Sequence, residues 1–280
     1  MAGDKADMRA LRPLIRRLQA LFPGSAFATP EGLLCAGGEL SVPLLLAAYG
    51  LGIFPWYNEG EPVLWWNPPV RCVMLPGGYH LPRRAARAIR HAGFVLTLDR
   101  AFPRVIAACG NLRRDREGTW ITPEVERAYN ELHEAGFAHS VEAWQQGRLV
   151  GGLYGVALGR AFFGESMFHL ADEASRACLA GLVDLLRMRG VTLLDCQQET
   201  PHVMAQGAVL LPRRVFSRRL QEALAMDRGA GDALTREYVD DPSGAYGALW
   251  PFLPWRTRYR REGGTWAGGG MELLDAVPAP

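Results

Sequence analysis

Between Ser140 and Phe168 the chain reads as three strands joined by two tight turns, and that order builds an antiparallel meander. Ser140 to Trp144 is the first strand and Gln145-Gln146-Gly147-Arg148 the first turn. Leu149 to Leu158 is the second strand, Gly159-Arg160 the second turn, and Ala161 to Phe168 the third strand. A helix is expected next, from about Asp172 to Arg189. Its acids come first, its arginines last, and Gly190 follows, which suits the helix dipole and a left-handed stop. A strand over Val191 to Gln197 and a last helix over Pro212 to Ala225 complete the pattern.

Upstream, Val42 to Tyr49 reads as a short helix capped by Ser41, with Pro43 in its first turn and Gly50-Leu51-Gly52 ending it. A second helix runs from Pro82 to just before Gly93. A third has Thr122 as N-cap, Pro123 at its first position and Gly136 as stop, with Val125, Ala128, Tyr129 and Leu132 at helical spacing. The segments Ile53-Phe54-Pro55-Trp56-Tyr57 and Trp65-Trp66-Asn67-Pro68-Pro69 are aromatic enough for core packing or for stacking nucleobases. Three antiparallel strands, a helix, a strand and a helix resemble the acyltransferase core of the GNAT superfamily. The expected fold is α+β: a small N-terminal α/β domain over 1–70, then a GNAT-like domain over 71–225 with a mixed, largely antiparallel sheet. Residues 226–280 form a C-terminal extension rich in Gly, Pro and charge, flexible from Gly263, whose Trp250, Phe252 and Trp255 are expected to dock on the body.

The 280 residues suffice for one large domain or two modest ones, and 49% apolar with 21% charged residues excludes a disordered chain. Cys35, Cys72, Cys109, Cys178 and Cys196 are scattered without CxxC spacing, so neither a disulfide framework nor a zinc site is expected. That usage points to a reducing cytoplasm. Met1 to Arg17 lacks the apolar core of a signal peptide, and Leu33 to Trp56 is too interrupted by Glu39, Pro43 and glycines to span a membrane.

Chemistry-bearing residues concentrate at two strand ends. Glu165 lies in Phe163-Gly164-Glu165-Ser166-Met167-Phe168, and Asp195-Cys196-Gln197 follows thirty residues later. Strand alternation puts Asp195 and Gln197 on one face and Cys196 on the other, where it serves as a small buried hydrophobe. Unpaired buried polar groups cost about 1–3 kcal/mol each, so these residues form either an acyl-transfer site or a satisfied structural network.

The net charge of +2 conceals a local excess. From Arg83 to Arg116 nine arginines (83, 84, 87, 90, 100, 104, 113, 114 and 116) face only Asp99 and Asp115. Arg83, Arg87 and Arg90 share a helix face with i, i+4 and i+7 spacing. Arg213, Arg214, Arg218 and Arg219 form a second group. Such clusters repel themselves unless an anion is present, and a phosphate backbone is the natural counterpart; a solvated helix face is the plain alternative.

Several stretches taken together resemble the bacterial leucyl/phenylalanyl-tRNA–protein transferases. They are Gly50-Leu51-Gly52-Ile53-Phe54-Pro55-Trp56, Leu64-Trp65-Trp66-Asn67-Pro68, Gly118-Thr119-Trp120-Ile121-Thr122, His139-Ser140-Val141-Glu142 and Gly151-Gly152-Leu153-Tyr154-Gly155. Ala128-Tyr129, Leu132-His133, Gly136, the Glu165 and Asp195 motifs and Pro212-Arg213-Arg214 complete the series, which covers about residues 22–224. The resemblance implies transfer of Leu or Phe, and less readily Met, from aminoacyl-tRNA to an N-terminal Arg or Lys of an acceptor protein, destined for N-end-rule degradation. It implies neither metal nor coenzyme, and no membrane partner. Asp195, Gln197 and Glu165 would be catalytic, Glu165 either holding Asp195 and the donor or pairing with the acceptor's cationic side chain. Leu153, Phe162, Met167, Leu182, Leu186 and Leu194 would line the aminoacyl pocket. Trp120 would stack the terminal adenosine, and Arg83, Arg84, Arg87 and Arg90 would hold tRNA phosphates.

One departure stands out. Relatives often have Asn-Asp-His after the Asp-Cys-Gln motif, whereas this chain has Thr200-Pro201-His202. Two rival readings are an acyl-CoA-dependent N-acyltransferase and a non-catalytic RNA-binding protein. Against the first, His169-Leu170-Ala171-Asp172-Glu173 lacks the glycines of a pyrophosphate turn and adds two acids.

Overall fold

The computed structural model describes residues 8–114 and 119–225. The C-terminal extension, with its expected flexibility and docking aromatics, lies outside them, as do the side chains of Arg113, Arg114 and Arg116. In chain order come α1 (Met8–Gln19), β1 (Leu33–Ala36), α2 (Val42–Gly50), β2 (Phe54–Pro55), β3 (Leu64–Trp66) and β4 (Val70–Met74). Then follow α3 (Arg83–Ala92), β5 (Val95–Leu98), α4 (Phe102–Arg114), α5 (Pro123–Glu134), β6 (Ala138–Gln145), β7 (Arg148–Leu158) and β8 (Ala161–His169). The chain closes with α6 (Ala174–Met188), β9 (Leu193–Gln197), α7 (Pro201–Met204), β10 (Val209–Pro212) and α8 (Arg213–Ala225).

Two sheets result. The N-terminal one has three strands in the order β1-β3-β2, and the larger has seven in the order β10-β4-β9-β8-β7-β6-β5. The expected meander is β6-β7-β8, antiparallel throughout. Its first turn has Gln146 at φ 52° and Gly147 at φ 75°, the paired left-handed conformation of a tight hairpin, which an Asn-Gly-like pair favours. The crossover through α6 brings β9 parallel to β8. The fold is thus α+β with a mixed, mostly antiparallel sheet, as the pattern implied.

Local chemistry sets the helix ends. Thr122 Oγ1 accepts the Val125 N–H at 3.3 Å at the start of α5, Pro123 occupies the first turn, and Val125, Ala128, Tyr129 and Leu132 are buried. Strands β1 to β5 and β10 and helices α1, α4 and α7 were not foreseen, and α6 begins at Ala174 rather than Asp172. The missed strands are two to five residues long, too short to show a period of their own.

The core lies on both faces of the large sheet. One cluster joins α2, α4, α5 and α8 around Tyr49, Phe102, Tyr129, Phe163 and Phe216. The other packs α6 over Leu153, Phe162, Leu182, Leu186 and Leu194. Residues from both sides of position 70 share the first cluster. Trp65 is buried there, and its Nε1–H donates to the Gly37 carbonyl at 2.9 Å. Trp56 and Trp66 instead form a tilted pair, centroids 5.7 Å apart, with Trp56 exposed.

A second polar group sits within β5–β6. Glu142 is fully buried, accepts hydrogen bonds from Thr97 and Ser140 hydroxyls, and receives the Ala101 N–H at 3.3 Å. Burial pushes its carboxyl up to about 7 from 4.5, against those hydrogen bonds. The fold therefore binds this proton more tightly than the unfolded chain does. Its stabilising contribution is complete below pH 4.5 and is lost as pH rises to about 7. The loss is on the order of 3 kcal/mol. Urea midpoints measured across that window are expected to fall less steeply in Glu142→Gln than in the natural protein.

Candidate active site

Strands β8 and β9 are paired only from Ala161–Leu193 to Phe163–Asp195, yet β8 continues to His169 and β9 to Gln197. The two strands splay at that point, and Glu165 and Gln197 stand on either side of the gap. A β-bulge opposite Cys72 and Val73 and a left-handed backbone at Gln197, φ 55°, mark the same place. A non-glycine residue in that conformation needs support from its surroundings.

Asp195 supplies it. Its Oδ1 accepts the Gln197 N–H at 2.9 Å. The same carboxylate is clasped by Arg71 of β4, with Nε at 2.8 and 3.1 Å from its two oxygens and Nη2 at 2.7 Å from Oδ2. Arg71 and Asp195 side chains are 1% and 0% exposed, so this is a fully desolvated ion pair. The guanidinium carbon lies 4.6 Å from the ring centroids of both Phe54 and Phe216. Asp195 has no surface to offer a substrate.

Glu165 anchors the other half. Tyr129 Oη donates to its Oε2 at 3.2 Å, and Gln197 Nε2 lies 3.4 Å from Oε1. Tyr49 of α2 closes a very short hydroxyl–hydroxyl hydrogen bond to Tyr129. Burial pushes the Glu165 carboxyl up to about 7, while the tyrosine hydrogen bonds oppose the rise. Both phenols are held well above their usual range, by burial first and Glu165 second. With its Nε2 toward Glu165, Gln197 leaves its amide oxygen to accept a hydrogen bond from an incoming amine. A carboxyl that titrates near neutrality beside that amide suits general-base chemistry.

The six apolar residues expected to line an aminoacyl pocket come together in the cluster on the α6 side, Met167 partly buried and the other five buried. Cys196 joins this cluster with Cys72, away from Asp195, as strand alternation implied. Trp120 is half-buried against the other cluster, at the entry to α5. Arg83, Arg84, Arg87 and Arg90 lie on the exposed side of α3, whose Ala85, Ala86 and Ile89 are buried.

The second basic group needs correction. Arg213 donates to the carbonyls of Pro68 at 3.2 Å and Ser25 at 2.6 Å, so it latches α8 to the N-terminal segment. In the first basic group, Arg104 lies over a ring, 5.3 Å from the Trp144 centroid. Sequence reasoning missed Arg71, Tyr49 and Tyr129 as site residues. The available signal was an arginine inside the apolar run Val70–Met74, where a lone charge needs a partner.

Among the described residues, no His, Cys, Asp and Glu cluster of three or more could hold a metal ion. Nor is any described helix long and apolar enough to cross a membrane.

Residues 73–221 match the family described as leucyl/phenylalanyl-tRNA protein transferase, and residues 38–69 match that family's N-terminal domain. The chain belongs to this family. Its membership makes it an aminoacyltransferase. The leucyl/phenylalanyl-tRNA–protein transferase of Desulfatibacillum aliphaticivorans is 52% identical over 204 residues, 72% of this chain and 88% of that one. The transferase of the same name from Magnetococcus marinus is 49% identical over 215 residues, 75% and 91% of the two chains. A solved structure of FemX overlaps partially, with a TM-score of 0.39 and 14% identity over 52% of this chain and 60% of that one. Arg71, Tyr49, Tyr129, Glu165, Asp195 and Gln197 all fall inside the two matched transferase segments except Arg71, which stands between them.

Proposed function

We propose that the protein transfers leucine or phenylalanine, and less readily methionine, from aminoacyl-tRNA to the α-amino group of an N-terminal Arg or Lys. The product is an acceptor protein marked for N-end-rule degradation in the cytoplasm, and neither metal nor coenzyme takes part. The observation that carries this reading is the splay of β8 from β9, with Glu165 and Gln197 flanking it and the α6 apolar cluster alongside. The division into an N-terminal domain over 1–70, a catalytic domain over 71–225 and an extension over 226–280 is part of the proposal.

The donor ester is already activated, so positioning supplies much of the acceleration. The acceptor amine, with an unperturbed pKa of about 8, is partly neutral at cytoplasmic pH. Gln197 accepts a hydrogen bond from it and aims its lone pair at the ester carbonyl. The nitrogen forms the new amide bond, the ester C–O bond breaks, and the tRNA ribose oxygen leaves with a proton. Glu165 takes the proton released by the amine and returns it to the departing ribose oxygen, so that it ends the cycle as it began. Asp195 acts through Gln197, since its own oxygens are occupied.

Leu153, Phe162, Met167, Leu182, Leu186 and Leu194 receive the aminoacyl side chain. A methylene is worth about 1–3 kcal/mol in such a pocket, which favours Leu and Phe and tolerates Met. Trp120 stacks the terminal adenosine, and the more exposed Trp56 is the alternative platform. Arg83, Arg84, Arg87 and Arg90 hold acceptor-stem phosphates without reading sequence. Binding is expected to weaken steeply with salt, and replacing Arg87 by alanine to reduce the slope of log K against log salt by about one. An unchanged slope in filter binding would remove Arg87 from the contact.

The deciding experiment is transfer of labelled leucine from Leu-tRNA to a peptide beginning with Arg. Transfer by the natural protein and none by Gln197→Ala is the expected result. Consumption of an acyl-CoA thioester without peptide extension would overturn it. In the same assay, Glu165→Gln is expected to slow transfer through loss of the base, and an unchanged ratio of Arg to Ala acceptors in the residual product would exclude Glu165 from contact with the acceptor's cation.

A further inference from the structure

We infer that Arg71 is a positioning residue for the transfer reaction, acting on Gln197 through Asp195; this deepens the transferase reading and rests on it. Four observations lead there. Arg71 engages both oxygens of Asp195, within 2.7–3.1 Å, in a site where both side chains are 1% exposed or less. Its guanidinium carbon lies 4.6 Å from the ring centroids of both Phe54 and Phe216, so two aromatic rings pack against the fork. Asp195 then spends the same Oδ1 on the Gln197 N–H at 2.9 Å. Gln197 holds a left-handed backbone, φ 55°, that a residue with a Cβ keeps only under such constraint.

The consequence is a mechanical chain from an N-terminal aromatic to the reacting amide. Phe54 belongs to β2, Arg71 to β4, Asp195 and Gln197 to β9, and Phe216 to α8. A planar fork defines both the distance and the rotation of the carboxylate; an ammonium group would define the distance only. Freed to rotate, Asp195 would release the Gln197 N–H. The amide would then swing off the line joining Glu165 to the splay.

The test is Arg71→Lys, which keeps the charge and removes the fork, assayed for leucine transfer from Leu-tRNA to an Arg-initiated peptide. Expected is a fall in kcat of about 10–100-fold with KM for both substrates within about two-fold, since misplacing a reacting group by about an ångström costs on that order. A purely structural role would lower the amount of folded enzyme and leave the kcat of the folded fraction unchanged. Arg71→Ala is expected to regain transfer when guanidinium ion is added, because the Asp195 carboxylate and the Phe54 and Phe216 rings remain to hold it. Unchanged kcat in folded Arg71→Lys, or no response of folded Arg71→Ala to guanidinium, would overturn the inference. Should both variants fail to fold, Phe54→Leu loosens the fork while keeping the arginine, and an unchanged kcat there would overturn it equally. A natural protein inert in this assay would instead sink the transferase reading itself.

Discussion

Replacing Asp195 by alanine is expected to destabilise the fold by about 3–5 kcal/mol and to abolish leucine transfer. Removal of the carboxylate strands the Arg71 guanidinium, 1% exposed, with two aromatic faces and no anion. A buried charge without a partner costs far more than the pair contributes when whole. The Gln197 N–H loses its acceptor as well. Equilibrium unfolding in urea reads the first effect and labelled-leucine transfer the second. The paired change Arg71→Met with Asp195→Leu separates them. Without charges to strand, it is expected to recover most of the stability and none of the transfer. A double variant that recovered both would show the pair to be packing alone.

Gly155→Ala is the second large effect expected. A Cβ at this position would lie 2.1 Å from the Phe163 carbonyl oxygen and 2.4 and 2.8 Å from two ring carbons of Phe162. The carbonyl is backbone of β8, so no side-chain rotation relieves the clash. Strand β8 must move, and it carries Glu165 two residues further on. Overpacking typically costs about 1–3 kcal/mol, and a contact this close with main chain belongs at or above the upper end. A matching loss of transfer is expected from displaced Glu165. Gly77→Ala is the control, with nothing within 4 Å of its added methyl and a change within about 0.5 kcal/mol expected. Equal stability of the two variants by thermal unfolding would disprove the steric argument.

The elements legible in the sequence were those whose signals are local. The meander declared itself through period-2 runs and through Gln146-Gly147, whose left-handed pair the structure contains. Helix α5 was marked by its Thr122 cap and four-residue apolar stripe. The splay residues Glu165, Asp195 and Gln197 were found because polar groups at strand ends contradict a core. What stayed hidden depends on distant chain. Arg71 finds Asp195 across 124 positions, and Tyr49 finds Tyr129 across 80. No spacing rule reaches that far. Arg213 shows the opposite error. Counted among surface cations, it is occupied by carbonyls 145 and 188 residues away. Strand β4, the bearer of Arg71, was passed over because its five residues are too few to show a period.

Tyr49 comes from the first part of the chain, and its hydroxyl meets that of Tyr129 in the second. The hydroxyl chain that ends on Glu165 therefore draws on both matched segments, residues 38–69 and 73–221. Chimeras that exchange the leading piece between distant members must import a phenol whose tip arrives at the same point. A graft that folds well yet lacks it would look sound by every spectroscopic measure while having lost the hydroxyl that stands behind Glu165.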